Sequence, residues 1–126
     1  FNVDKEINFI KKKYQSIGAV STFIGYVRDN NKNKKVLSIN LEVYSEMAEE
    51  YLNNIIEKTK KKLNIVDILI IHRFGNLNIG EKIVLVAIFS KRRNEGIKAC
   101  RLVMDYLKKD APFWKNEKYR NKTEWI

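Results

Sequence analysis

Ile83-Val84-Leu85-Val86-Ala87-Ile88-Phe89 is the longest uninterrupted apolar run in the chain, and no polar residue alternates within it. Seven residues are far too few for a bilayer span, which takes about 20. A strand apolar on both faces is one covered on both faces, so the run is expected at the centre of a sheet. Working outward from it, Arg93 to Lys109 has helical periodicity and must stop there, because Pro112 disfavours α geometry at Ala111. On the other side come a turn at Asn78-Ile79-Gly80 and a strand over Ile65 to Ile71. Before these, Ser45 to Leu63 reads as an amphipathic helix burying Met47, Tyr51, Ile55, Ile56 and Leu63. Leu37 to Val43 alternates cleanly, and with the β-rich stretch Ala19 to Arg28 it is expected to form a hairpin across the basic loop Asp29 to Lys35. A first helix, capped by Asp4 and ended by Gly18, places Ile7, Ile10, Tyr14 and Ile17 on one side. The tail from Phe113 to Ile126 is expected to form short strands. The order α-β-β-α-β-β-α plus tail implies one α+β domain over residues 1–126.

The 126 residues carry 25 Lys and Arg against 15 Asp and Glu, a formal charge of +10. With 44% apolar residues the chain can build a core, which argues against disorder. No membrane span is present, and Phe1 to Lys13 lacks the pattern of a secretory signal. The single cysteine, Cys100, excludes an internal disulfide framework, so the expected compartment is the cytoplasm. The charge calls for an anionic partner without naming it. Only six of the basic residues are Arg: Arg28, Arg73, Arg92, Arg93, Arg101 and Arg120. In a Lys-rich chain, Arg marks positions where a rigid planar fork for phosphate or carboxylate is useful.

There is no glycine-rich phosphate loop, no HExxH and no serine elbow. His72, the only histidine, lacks partners for a metal site and reads as structural. Cys100 reads as a small buried residue, since nothing near it in sequence activates a nucleophile. Lys108 and Lys115 flank the helix stop, so the chain could turn back and bring both ammonium groups to a pocket walled by Phe113 or Trp114. A lysine there could act as acid, base or nucleophile. The residues alone favour the plainer reading, in which both lysines are solvated ends of a basic helix. Arg28 likewise reads as a surface charge at a strand end. The pair Arg92-Arg93 opposes the dipole of the helix that it opens, which asks for a compensating anion.

Taken together, these segments resemble the large, catalytic subunit of molybdopterin synthase, the MoaE family. The resemblance runs through Gly18-Ala19, Phe23 to Arg28, Leu41 to Tyr44 and Met47-Ala48. It continues in His72 to Gly75, Leu77, Gly80-Glu81 and Ala99-Cys100, and ends with Met104 to Lys108 and Ala111 to Glu117. It implies an α/β-hammerhead fold, mainly antiparallel with three helices, and a cytoplasmic sulfurtransferase of molybdenum cofactor biosynthesis. The substrate would be cyclic pyranopterin monophosphate, converted to the molybdopterin dithiolene. Sulfur would come from the thiocarboxylated Gly-Gly tail of a small ubiquitin-like, MoaD-like sulfur-carrier subunit. The assembly would be a homodimer with one small subunit at each end, a heterotetramer. By the same resemblance Lys108 and Lys115 are catalytic, while Phe23, Tyr26, Val27, Arg28, Arg92, Arg93, Met104, Asn116 and Glu117 bind substrate. No metal, cofactor, nucleic acid or membrane is implied. Arg92 stands where many relatives have His, so only anion holding carries over to it. The chain also stops at Trp125-Ile126, before a tail that can supply a further Arg in the family. A nucleic-acid module is disfavoured, since no RNP-like strand or GXXG loop accompanies the charge.

Overall fold

The computed structural model describes the backbone of residues 1–28, 30–31, 34–42, 45–73, 75–110, 114–119 and 123–125, and the side chains of residues 1–28, 49–73 and 77–109. The elements are α1 (Val3–Lys11), β1 (Ala19–Tyr26), β2 (Asn30–Asn31), β3 (Lys34–Glu42), α2 (Ser45–Lys62), β4 (Asp67–His72), β5 (Gly75–Asn78), β6 (Lys82–Ser90), α3 (Arg93–Asp110), β7 (Trp114–Tyr119) and β8 (Thr123–Trp125).

The apolar run is the core of β6, and it lies where its composition places it, between β1 and β4 in an antiparallel sheet ordered β1-β6-β4. Leu85, Val86, Ala87, Ile88 and Phe89 are all fully buried. Alternate residues serve two cores: Val86 and Ile88 pack with Ile55, Ala99 and Val103 from α2 and α3, and Ala87 and Phe89 pack with Ile10 of α1. Burial of each large side chain contributes roughly 1.5–3 kcal/mol, so this strand alone anchors helices on both faces.

A second antiparallel sheet is ordered β2-β3-β7-β8, with β5 also pairing with β3. Since β5 and β7 both pair with Ser38 to Leu41, they flank β3 on opposite edges. Three helices with antiparallel sheets make the α+β class expected from the sequence.

Several local expectations are corrected. The stretches 19–28 and 37–43 do not form a hairpin: β1 pairs with β6 in one sheet, and β3 pairs with β2, β5 and β7 in the other. The reason is that β6, buried on both faces, has backbone N–H and C=O groups along both edges that must be paired, and β1 satisfies one edge as β4 does the other. The first helix ends at Lys11, and Lys13 and Tyr14 close it with bonds to residues three back. Its cap is Asn2, whose Oδ1 accepts from the Lys5 N–H at 3.1 Å, so Asp4 lies in the first turn. Ile17 nevertheless packs against the Ile10 cluster from outside the helix. No pattern in the sequence marks the strand β5. The expected readings at Asp29, Val43, Phe74, Ala111, Pro112 and Phe113 lie outside the described residues.

Candidate active site

At the end of β1 the ladder with β6 slips: Gly25 pairs with Val84 but Tyr26 pairs with Lys82, so one step of β1 spans two of β6. Such a bulge bends the strand and re-aims the residues beyond it. There the Val27 N–H donates to the Glu81 carbonyl at 3.0 Å and the Gly80 N–H donates to the Val27 carbonyl at 2.9 Å. With both backbone groups held and its side chain only 2% exposed, Val27 is a fixed stem between Tyr26 and Arg28, both of which are exposed.

The helix α3 follows β6 after Lys91 and Arg92 and packs back over β6 and β1. It therefore places Arg92, just before it, and Arg93, its first residue, at the end where β1 begins, and Lys108 at the end where β1 finishes. Fifteen steps of helix at 1.5 Å separate Arg93 from Lys108 by about 22 Å along the axis. Residues 96, 99, 100 and 103 face the core, whereas Tyr106 faces α2, where its carbonyl accepts from the Tyr51 hydroxyl at 2.8 Å. The opposite flank carries Arg93, Ile97, Arg101, Met104 and Lys108. On it Ile97 is 58% exposed, and Met104 is half-buried against the α2–α3 core. This flank overhangs β1, whose outer edge pairs with no strand among the described residues and which exposes Phe23.

The chain directions thus put Tyr26, Val27, Arg28 and Lys108 at one end of the β1–α3 layer and Arg92 and Arg93 at the other, with Phe23 in mid-strand opposite Val86 and Met104 one turn of α3 before Lys108. Lys115, Asn116 and Glu117 lie in β7, opposite Leu41, Asn40 and Ile39 respectively. Lys115 and Glu117 therefore occupy one face of that sheet and Asn116 the other. Their side chains, and that of Trp114, are outside those described. Lys115 is five residues past the end of α3, a reach of at most about 18 Å.

Two features were not singled out from the sequence. A cleft of about 240 Å³ at the start of α3 is lined by Asn64, Lys91, Arg92 and Glu95. Glu95 Oε2 is buried there with no hydrogen-bond partner among the described residues. Another cleft, of about 250 Å³, adjoins Tyr26 and is lined by Phe1, Arg73, Gly80, Glu81 and Lys82. No periodicity or motif marks either, because each is assembled from separate segments. His72 closes β4 with its Nδ1–H donating to the Arg73 carbonyl at 3.0 Å, in keeping with a structural role. Cys100 is buried in the α3 core, and burial pushes its thiol pKa up, the opposite of what a nucleophile needs.

Residues 1–110 match the family model of the MoaE protein. The chain belongs to the MoaE family. The molybdopterin synthase catalytic subunit of Ralstonia nicotianae is 41% identical over 126 residues, all of this chain and 72% of that protein. The molybdopterin biosynthesis MoaE protein of Burkholderia ambifaria has the same fold at a TM-score of 0.86 and 34% identity, over all of this chain and 82% of that one. A complex of subunits 1 and 2 of the molybdopterin-converting factor from Helicobacter pylori contains the fold too, at a TM-score of 0.80 and 20% identity over all of this chain and 84% of that one. The MoaE match includes Arg28, Arg93 and Lys108 and ends before Lys115.

Proposed function

We propose that residues 1–126 form a single MoaE-like domain, the catalytic subunit of a molybdopterin synthase, acting in the cytoplasm on cyclic pyranopterin monophosphate. It is a sulfur-transferring enzyme of molybdenum cofactor biosynthesis. The observation that carries the reading is that the Tyr26–Arg28 stem and Lys108 lie at the same end of the packed β1 and α3, in a chain that matches this family over residues 1–110. Among the described residues no helix is long and apolar enough to cross a membrane.

The chemistry gives each group a task. The substrate presents an anionic cyclic phosphate, which the forks of Arg28 and Arg93 suit, with Arg92 adding charge. Opening the phosphate ester and making a ring carbon accept sulfur both require proton transfer, the part of Lys108 and Lys115. Sulfur arrives as the thiocarboxylate at the Gly-Gly tail of the small ubiquitin-like subunit. Its sulfur forms the new C–S bond, and the tail leaves as a carboxylate once water has taken the acyl carbon. Two such tails supply the two dithiolene sulfurs. Phe23, Tyr26 and Met104 offer apolar walls for the pterin, Val27, whose backbone groups are bonded to Gly80 and Glu81, supports Tyr26 and Arg28 beside it, and Asn116 and Glu117 act from β7.

A pterin is much shorter than the 22 Å or so between Arg93 and Lys108, so one chain cannot grip it with both. In our reading the enzyme is a homodimer, in which Arg93 of a second copy meets Lys108. The outer edge of β1, which pairs with no strand among the described residues, and the flank bearing Ile97 offer a surface for that copy.

The test is reconstitution. The purified chain, a thiocarboxylated small subunit and cyclic pyranopterin monophosphate should together yield molybdopterin. No product from a folded chain that binds a competent donor would overturn the reading.

A further inference from the structure

Arg73 and the Gly80-Glu81 pair belong to the segments that carry the family resemblance, yet the chemistry above gives them no task. Their geometry does. The Arg73 N–H donates to the Ile83 carbonyl at 2.8 Å. Its guanidinium Nη1 donates to the Lys82 carbonyl at 3.1 Å, and Nη2 lies 3.7 Å from Glu81 Oε2. One residue just past β4 thereby holds the three consecutive residues that lead into β6, Glu81 to Ile83, the last being the residue that the bulge leaves without a partner on β1.

Glu81 then closes the turn in front of it. Its Oε2 accepts from the Asn78 N–H at 3.1 Å, and its own N–H donates to the Asn78 carbonyl at 3.1 Å. Between them Gly80 takes a φ of 87°, which a glycine adopts without strain. The same turn supplies both groups that hold Val27, the Gly80 N–H and the Glu81 carbonyl. The side chains of Arg73 and Glu81 are 37% and 39% exposed, and an ion pair so exposed adds little stability. What the pair fixes is a position.

We propose that Arg73 and Glu81 are positioning residues for Arg28, acting through the β6 bulge and the Gly80 turn that together immobilise Val27. This rests on the reading of Arg28 as a holder of the substrate phosphate. Neither residue touches the substrate.

The experiment is a double-mutant cycle in the reconstituted enzyme, with cyclic pyranopterin monophosphate varied and thiocarboxylated small subunit saturating. Arg28→Ala is expected to raise KM at least tenfold. Arg73→Met should raise KM about five- to tenfold and leave kcat within about twofold, the pattern of lost ground-state binding. Arg73→Lys, which keeps the charge and a donor, should recover most of the loss. In the Arg28→Ala background Arg73→Met should add less than about twofold, because the group that it positions is gone. Glu81→Gln, which keeps an acceptor for Asn78 but drops the charge facing Arg73, provides a milder second cycle should Arg73→Met fail to fold. It should raise KM about threefold with the same non-additivity. Equal effects in both backgrounds would mean a general loosening of the fold and would overturn the proposal. So would an unchanged KM in Arg73→Met, with Arg28→Ala impaired. An unchanged KM in Arg28→Ala removes the phosphate role of Arg28 itself, and the positioning role falls with it.

Discussion

Lys108 lies in the last turn of α3, exposed, where its charge also suits the helix dipole. Its removal touches no core contact, so Lys108→Ala should leave the far-ultraviolet circular dichroism unchanged. Molybdopterin formation should nevertheless fall by about 10²–10⁴, as when a proton-transfer group is lost, and Lys115→Ala should do the same. Near-normal turnover in both folded variants would end the proton-transfer role. Cys100 makes the opposite case. Burial raises its thiol pKa, so the folded chain keeps the proton where the unfolded chain has lost it. The stability linked to this group is therefore complete below the ordinary thiol value and declines as pH rises through the higher folded value. Urea denaturation between about pH 8 and 10.5 should show a steeper decline in the native chain than in Cys100→Ala, and an identical slope would discount the burial effect. The sequence disclosed Cys100 and His72 as structural, because a single cysteine and a single histidine with no other metal-ligating or activating residue close by in sequence have few other uses. It could not disclose Arg73, whose contacts with Glu81, Lys82 and Ile83 lie eight to ten residues later, at the entry to another strand.

Among the elements, two glycines are required for different physical reasons, and substitution separates them. A Cβ on Gly18 would collide with the backbone carbonyl of Lys91, which cannot yield as a side chain can. At Gly80 nothing among the described residues lies within 4 Å of such an atom, and the positive φ opposes it. Gly80→Ala should therefore cost about 1–2 kcal/mol, with Gly80→Asn milder. Gly18→Ala should cost about 2–3 kcal/mol or more, with no relief from Asn. Denaturant titration of the three variants checks the order, and a Gly80→Asn change as costly as Gly80→Ala would refute the backbone argument. Helices and central strands were legible here because their apolar spacing records burial directly, as in β6 and α3. Pairing was less so. The supposed hairpin failed because nearness in sequence says nothing of which edge β6 needs covered. β5 went unseen because Gly75-Asn76-Leu77-Asn78 has little strand propensity, and its conformation comes from β3 alongside.

For the whole molecule, the separation of Arg93 from Lys108 makes a strong demand. If each site takes Lys108 from one chain and Arg93 from another, mixing Arg93→Ala with Lys108→Ala chains creates dimers with one doubly defective and one intact site. Random exchange should then restore up to about a quarter of wild-type activity, since half the dimers are mixed. Proven exchange without recovery would place both residues in one chain's site. Deleting the terminal Gly-Gly of the small subunit should likewise weaken its capture and eliminate sulfur transfer, and unchanged transfer would exclude tail insertion. The second sheet also bears on how the chain is made. Ile39 and Glu117 are paired although they stand 78 positions apart in sequence. At a synthesis rate of 5–20 residues per second, β3 leaves the ribosome about 4–16 s before β7 exists to cover it. An uncovered strand edge is a template for aggregation, and charged residues blunt it. Lys34, Lys35 and Glu42 of β3 therefore bear on survival of the nascent chain, before any enzyme has assembled.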